Sequence, residues 1–273
     1  MLIIAISTLF KRLGGIQREQ FPSNENIKYV ISCQGKKEHD DAYYESYLRA
    51  IFGDDVVWGE APTSGLSNNR NNAIKLALES KSETDRYLYI CDDDITLSVD
   101  GLLDAIGVMQ ERRLSSLTGI IATDDGFFRN YSNQTYSHSR LSAARVCSVE
   151  IIVDLEFIFS KSILFDGRFG LGSIYPSGEE FIFISDIISS DGKVEFSPII
   201  LCKHPPLSSG DDFYSSQHKI MAKGAMLKRV FPSYICYPMI IMFAIKKYRT
   251  YRNSVSFVKF INNMIKGAMG MNK

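Results

Sequence analysis

The 273-residue chain contains no C-x-x-C pair, no apolar run long enough to cross a bilayer, and not one Asp or Glu after Asp212. Its five cysteines (Cys33, Cys91, Cys147, Cys202 and Cys236) are odd in number and widely spaced. That excludes a zinc knuckle and a disulfide framework, and it points to a reducing, cytoplasmic compartment. The longest uncharged stretch, 230–245, has 16 residues and includes Pro232 and Pro238, short of the ~20 that a spanning helix needs. The apolar start, Met1 to Phe10, lacks a preceding basic residue and an A-x-A site, so it reads as a buried strand rather than a signal peptide. With 45% hydrophobic and 23% charged residues, the composition excludes disorder, collagen-like repeats and a multi-span membrane protein.

What is present is unevenly placed. Lys+Arg and Asp+Glu are equal at 31 each, but eleven of the basic residues follow Asp212. Residues 1–212 therefore carry 20 bases against 31 acids, a net of −11 answered by +11 in residues 213–273. The boundary divides the chain into a body, 1–212, and a basic tail, 213–273.

Short apolar runs alternate with helical patterns through the body, as in a largely parallel sheet with crossover helices. Strands are predicted at 2–7, 27–33, 56–58, 86–91, 117–122 and 194–202, with further strand-like alternation over 145–159. Helices are predicted at 40–52, 67–79 with Ser67 as N-cap, 99–113 and 179–188. Residues 125–142 are polar and aromatic without periodicity, and are predicted to be a surface loop. In such folds functional groups gather in loops at the carboxyl ends of the parallel strands.

Four segments carry chemistry. Asp92-Asp93-Asp94 closes the predicted strand at 86–91; adjacent carboxylates there repel one another, and a divalent cation with oxygen ligands relieves the repulsion. A solvated acidic turn is the alternative. Gly65-Leu-Ser-Asn-Asn-Arg70 opens a helix, where free N–H groups and a guanidinium suit a phosphate or a ribose, or simply start the helix. In Gly178-Glu179-Glu180, adjacent carboxylates face different directions on a helix. One of them can take a proton from a hydroxyl, or both can serve the helix dipole. His204 follows the last strand as a metal ligand or a surface hydrogen-bonding group.

The order and spacing of these segments, G-x-S-x-x-R-N, then a strand ending in DDD, then G-E-E about 85 residues on, then His, resemble family 2 glycosyltransferases of the GT-A fold, from about Ile3 to Gly210. The resemblance implies a single Rossmann-like α/β domain, a mostly parallel mixed sheet flanked by helices, with the tail as a helical extension. It implies an inverting transfer from a nucleotide-sugar, UDP-linked, to an acceptor hydroxyl, assisted by Mn2+ or Mg2+. Carried over residue by residue, Asp94, Asp92 and His204 are metal ligands. Ser7, Thr8, Gln34, Arg70, Asp92 and Asp93 bind the donor, and Glu180, or Glu179 beside it, is the base. Two departures stand out: the second strand ends in Ser32-Cys33-Gln34-Gly35 rather than an acidic turn, and Glu180 replaces the family's Asp. The first leaves the nucleobase unassigned. Tyr131, Tyr136, Tyr175 and Phe128 are placed to stack on an acceptor sugar or to anchor loops, and residues 205–216 have the Gly/Ser content of a segment that closes over a donor.

The tail joins apolar runs, such as Tyr237 to Ile245, to Lys246, Lys247, Arg249 and Arg252. That pattern suits an anionic cytoplasmic leaflet and a saccharide or lipid-linked saccharide acceptor; packing of the tail on the acidic body is the alternative. The acidic body argues against nucleic acid. Cell-surface polysaccharide or glycolipid synthesis is the resulting expectation. A nucleotidyltransferase, for which Leu9-Phe-Lys-Arg-Leu-Gly-Gly15 is a thin version of the phosphate loop, and a non-catalytic sugar-binding scaffold are the competing readings.

Overall fold

The computed structural model describes residues 1–205 and 212–271. The elements run β1 (Leu2–Leu9), β2 (Ile27–Gln34), α1 (Asp41–Phe52), β3 (Val57–Glu60), α2 (Leu66–Ser80), β4 (Tyr87–Asp92), β5 (Thr96–Leu97), α3 (Val99–Arg112) and β6 (Ser116–Thr123). There follow β7 (Gly126–Phe127), β8 (Tyr136–Ser137), α4 (Arg140–Ala143), β9 (Ile151–Asp154), α5 (Leu155–Ser160), α6 (Glu179–Ser189), β10 (Val194–Lys203), α7 (Gln217–Val230), α8 (Ser233–Tyr251) and α9 (Phe257–Gly270).

The sheet order is β3-β2-β1-β4-β9-β6-β10-β5. β3, β2, β1 and β4 are mutually parallel, β9 runs antiparallel between β4 and β6, and β10 is parallel to β6. The long strands therefore all end on one side. Side chains of β1 and β4 alternate between two apolar cores because the strand period is two. Ile3, Ala5, Leu88 and Ile90 enter one core, and Leu2, Ile4, Ile6, Tyr89 and Cys91 the other. Apolar faces on both sides require helices on both sides, the arrangement of a parallel sheet.

Three local expectations are corrected. Residues 145–159 are not one strand: a short 3-10 turn leads into β9, and Asp154 then caps α5 through its side chain. A carboxylate that accepts from Glu156 and Phe157 N–H starts a helix where apolar alternation alone suggests continued strand. Residues 125–142 are tied into the sheet, β7 to β6 and β8 to β10. Helix α2 begins at Leu66 with Gly65 as N-cap, so Ser67 lies inside it.

The tail forms three helices whose inner faces join the core beneath α6, through Ile220, Ala225, Met226, Phe231, Phe260 and Met264 among others. α7 and α9 cross at two glycines. A Cβ on Gly224 would lie 1.8 Å from the Met264 carbonyl oxygen, and one on Gly267 would lie 1.9 Å from that of Met221. Arg229 of α7 binds Asp186 of α6 at 2.8 Å and Asp166 at 3.1 Å, tying basic tail to acidic body.

Candidate active site

The carboxyl ends of β1, β2 and β4 meet where the strand order reverses, the place at which open α/β sheets form a crevice. Register sets Ser7 beside Ser32 on one side and Asp92 on the other, and Leu9 beside Gln34. A cleft of about 300 Å³ is lined there by Ser7, Thr8, Gln34 and Asp92 to Asp94, with His204 arriving from the end of β10. Ser7 Oγ and Gln34 Oε1 are buried and find no hydrogen-bond partner among the described residues, so both are free for a ligand. A larger groove of about 490 Å³ between α2 and α5 is mainly apolar, and Lys75 is its one titratable lining residue, so it lacks the groups for catalysis.

Helix α2 is fixed to this crevice by amides. Asn69 donates to the Thr8 carbonyl at 2.9 Å and accepts from Ser32 Oγ at 2.6 Å. Its first turn receives the 169–171 backbone: Leu66 N donates to Leu171 O at 2.9 Å and Ser67 Oγ to Phe169 O at 2.6 Å. Gly65, at φ +107, makes the sharp entry that this contact needs. The helix start offered by the sequence to a phosphate thus holds the loop that leads to Glu179.

Arg70, on the next turn and 2% exposed, gathers three carboxylates. Its guanidinium lies 3.2 Å from Asp92, 3.3 Å from Glu179 and 3.4 Å from Glu180. Burial works against that charge, but Asp92, Glu180 and Glu179 outweigh it and hold the Arg70 pKa above its ordinary range. Asp92 also accepts from Ser148 at 3.2 Å. Both acidic residues start α6, where the dipole favours negative charge. Glu179 is buried against Arg70, whereas Glu180 keeps 20% of its side chain exposed. Burial, then repulsion from Glu179, pushes the Glu180 pKa up to about 8, with Arg70 pulling the other way. Lys223 of α7 donates to Ser177 Oγ at 3.3 Å beside this pair.

The other two aspartates face Arg12. Its guanidinium lies 2.5 Å from Asp93 and 2.8 Å from Asp94, and Thr8 Oγ1 donates to Asp93. His204 Nε2 stands 3.3 Å from Asp94 Oδ1. Hydrogen bonding from His204, then from Arg12, overcomes burial and holds Asp94 down at about 2. The His204 Nδ1–H donates to the Pro205 carbonyl at 2.6 Å, which leaves Nε2 to face the cleft. An oxygen and an imidazole nitrogen so close together could both donate to a divalent cation such as Mn2+ or Mg2+ if one were bound beside a diphosphate. Among the described residues no cluster of three or more His, Cys, Asp or Glu side chains converges on a metal position. Asp94 and His204 lie against each other at the cleft, whereas Asp92 faces Arg70 and Ser148.

The structure thus brings Ser7, Thr8, Gln34, Asp92, Asp93, Asp94 and His204 into one cleft and links Glu179 and Glu180 to it through Arg70. Arg12, Asn69 and Ser148 belong to the same assembly and were not singled out by sequence reasoning. For Arg12 a signal exists, a basic pair immediately after the first strand. Two of the aromatic candidates are anchors: Tyr131 donates to buried Glu150 at 2.5 Å, and Tyr175 stacks on Phe169 and donates to the Gly267 carbonyl at 3.4 Å. Phe128 packs against a core, and Tyr136 remains exposed, stacked on Phe196. Half of the expected closing segment, 205–216, falls on residues 206–211, which lie outside the described residues.

This is a GT-A fold: a curled, mixed α/β sheet flanked by helices, matching solved glycosyltransferase structures over nearly the whole chain. One such structure is S. aureus TarS 1-349 in complex with UDP-GlcNAc, at TM-score 0.59 and 13% identity, covering 99% of this chain and 91% of that one. Another is GalNAc-T7 with UDP, GalNAc and Mn2+, at TM-score 0.59 and 15% identity, covering 99% of this chain and 57% of that one. No protein-family model matches the sequence, and no curated protein matches it.

Proposed function

We propose that the protein is an inverting glycosyltransferase that moves a sugar from a nucleotide-diphosphate donor, UDP-linked, to an acceptor hydroxyl. The observation that carries this reading is the continuity of the polar assembly. A cleft with unpartnered Ser7 and Gln34 and three carboxylates joins, through buried Arg70, a partly exposed Glu180 whose proton is held near neutral pH. The fold shared with proteins crystallised with UDP, UDP-GlcNAc and Mn2+ supports the donor class.

In this reading Ser7, Thr8 and Gln34 receive the nucleoside, and Asp93 and Arg12 border the diphosphate. Asp94 and His204 hold Mn2+ or Mg2+, which when bound neutralises charge on the leaving diphosphate. Glu180, directed by Arg70 and supported by Glu179, accepts the acceptor hydroxyl's proton. The hydroxyl oxygen forms its bond to the anomeric carbon as the bond to the diphosphate oxygen breaks, and attack opposite the leaving group inverts the configuration. The acceptor is a saccharide or lipid-linked saccharide, and the enzyme works at the cytoplasmic face of a membrane in polysaccharide or glycolipid synthesis. No helix among the described residues is long and apolar enough to cross that membrane.

The test is a thermal-shift screen of nucleoside diphosphates and nucleotide-sugars, each with and without Mn2+. Stabilisation by a uridine nucleotide that grows with Mn2+ supports the donor site. A folded protein that no nucleotide stabilises overturns it.

A further inference from the structure

Helix α8 is apolar on both of its faces. Cys236, Ile240, Ala244 and Tyr251 point inward and are fully buried in the core shared with α7 and α9. On the opposite side Tyr234 (78% exposed), Ile241, Met242 (65%), Ile245 (61%) and Tyr248 recur at helical spacing with Pro238 between them. These residues form one stripe, because positions three, four and seven apart share a face. Packing inside the molecule accounts for the inner face alone. An exposed apolar stripe of this length in an otherwise charged surface marks an interaction site.

Charge identifies the partner. Arg249 and Arg252 continue the stripe at its carboxyl end, Lys246 adjoins it, and residues 213–273 hold eleven basic and no acidic side chains. A two-fold pairing of two copies through this stripe would set like charges against each other. An anionic bilayer surface satisfies both features: the aliphatic side chains enter the acyl boundary, the cations meet lipid phosphates, and Tyr234 and Tyr248 sit at headgroup depth. We infer that the outward stripe of α8 is a docking face for an anionic bilayer, on which the protein lies without crossing it. The inference gives a place to the membrane-surface part of the reading above but does not depend on glycosyl transfer. Because Lys223 of α7 contacts Ser177, and Gly267 of α9 accepts from Tyr175, the helices carrying α8 also buttress the loop before Glu180.

The experiment is flotation of the full chain with phosphatidylcholine vesicles and with vesicles containing about one third phosphatidylglycerol. The wild-type protein is expected to float with the anionic vesicles and to release as salt rises from about 0.1 M to about 1 M, where the Debye length shrinks from about 10 Å to about 3 Å. Ile241→Glu with Ile245→Glu is expected to cut binding at least roughly tenfold, and Lys246→Gln with Arg249→Gln roughly fivefold for each charge removed. All four positions are exposed, and far-UV circular dichroism with thermal melting checks that the variants fold. No flotation with anionic vesicles, or flotation unchanged by the double Glu variant, overturns the inference. So does a wild-type dimer that the same variant dissolves while neither protein floats. Nucleotide thermal shifts on the same samples separate failure here from failure of the donor site.

Discussion

Arg70 sits where the cleft and the candidate base meet, and its environment makes it hard to replace. Three carboxylates within 3.4 Å of one buried guanidinium are tolerable only while that charge is present. Arg70→Ala is expected to cost about 3–5 kcal/mol, because removing one partner leaves uncompensated buried charge. Chemical denaturation measures it, and a loss under about 1 kcal/mol would show that the carboxylates protonate or hydrate instead. Glu180 carries the reaction-scale expectation. Its pKa of about 8 lies above that of an ordinary carboxylate, so at neutral pH the proton is largely retained. A base must first lose it, so turnover is expected to rise with pH through about 8. Glu180→Gln is expected to remove that rising limb and lower transfer at least about a hundredfold while sparing nucleotide binding. Full transfer by the Gln variant would assign the base elsewhere, Glu179 being adjacent. Spacing along the chain shows that Glu179 and Glu180 diverge, but only burial distinguishes the one committed to Arg70 from the one that reaches solvent.

Among the elements, the strands were the most legible, because β1, β2 and β4 are continuous β-branched and aromatic runs that only a doubly covered sheet accommodates. Two kinds of information were not legible. One is the start of short helices set by a single side chain, as with Asp154 before α5. The other is contact between distant backbones, as where Leu66 and Ser67 bind the 169–171 loop in place of a ligand. The crossing of α7 and α9 belongs to the second kind. Glycine has low intrinsic helix propensity, yet at Gly224 and Gly267 the other helix's backbone comes within contact of where a Cβ would stand. Gly267→Ala is expected to force the helices apart at a cost of roughly 3 kcal/mol, since a Cβ 1.9 Å from a carbonyl oxygen cannot be absorbed by a rotamer change. Urea midpoints report the loss, and limited proteolysis is expected to nick α9 first. Gly107→Ala, on α3 where a Cβ meets nothing within 4 Å, is the matched control and is expected to be neutral or slightly stabilising.

For the whole molecule, charge and packing divide the chain differently. By charge it falls into an acidic body and a basic tail at Asp212. By packing the described residues on its two sides are joined: Phe181, Ile182 and Ile184 of α6 share one core with Ile220, Ala225, Phe231 and Met264 of the tail. The opposite charges meet across that join, where Arg229 binds Asp186 and Asp166. A chain ended at Asp212 would expose the apolar side of α6 and leave Asp166 and Asp186 without Arg229, while Tyr175 lost its acceptor on α9. Such a truncation is expected to aggregate, or to survive as a compact form with near-native far-UV circular dichroism but strong ANS binding. It is also expected to lose nucleotide-dependent stabilisation even though Ser7, Gln34, Asp92 and Asp94 all remain, because α7 and α9 support the loop that orders Glu179 against Arg70. A monomeric truncation with a sharp thermal transition and an intact nucleotide response would show instead that the charge boundary is a folding boundary. The body alone would then hold the site, with the tail left free for the membrane.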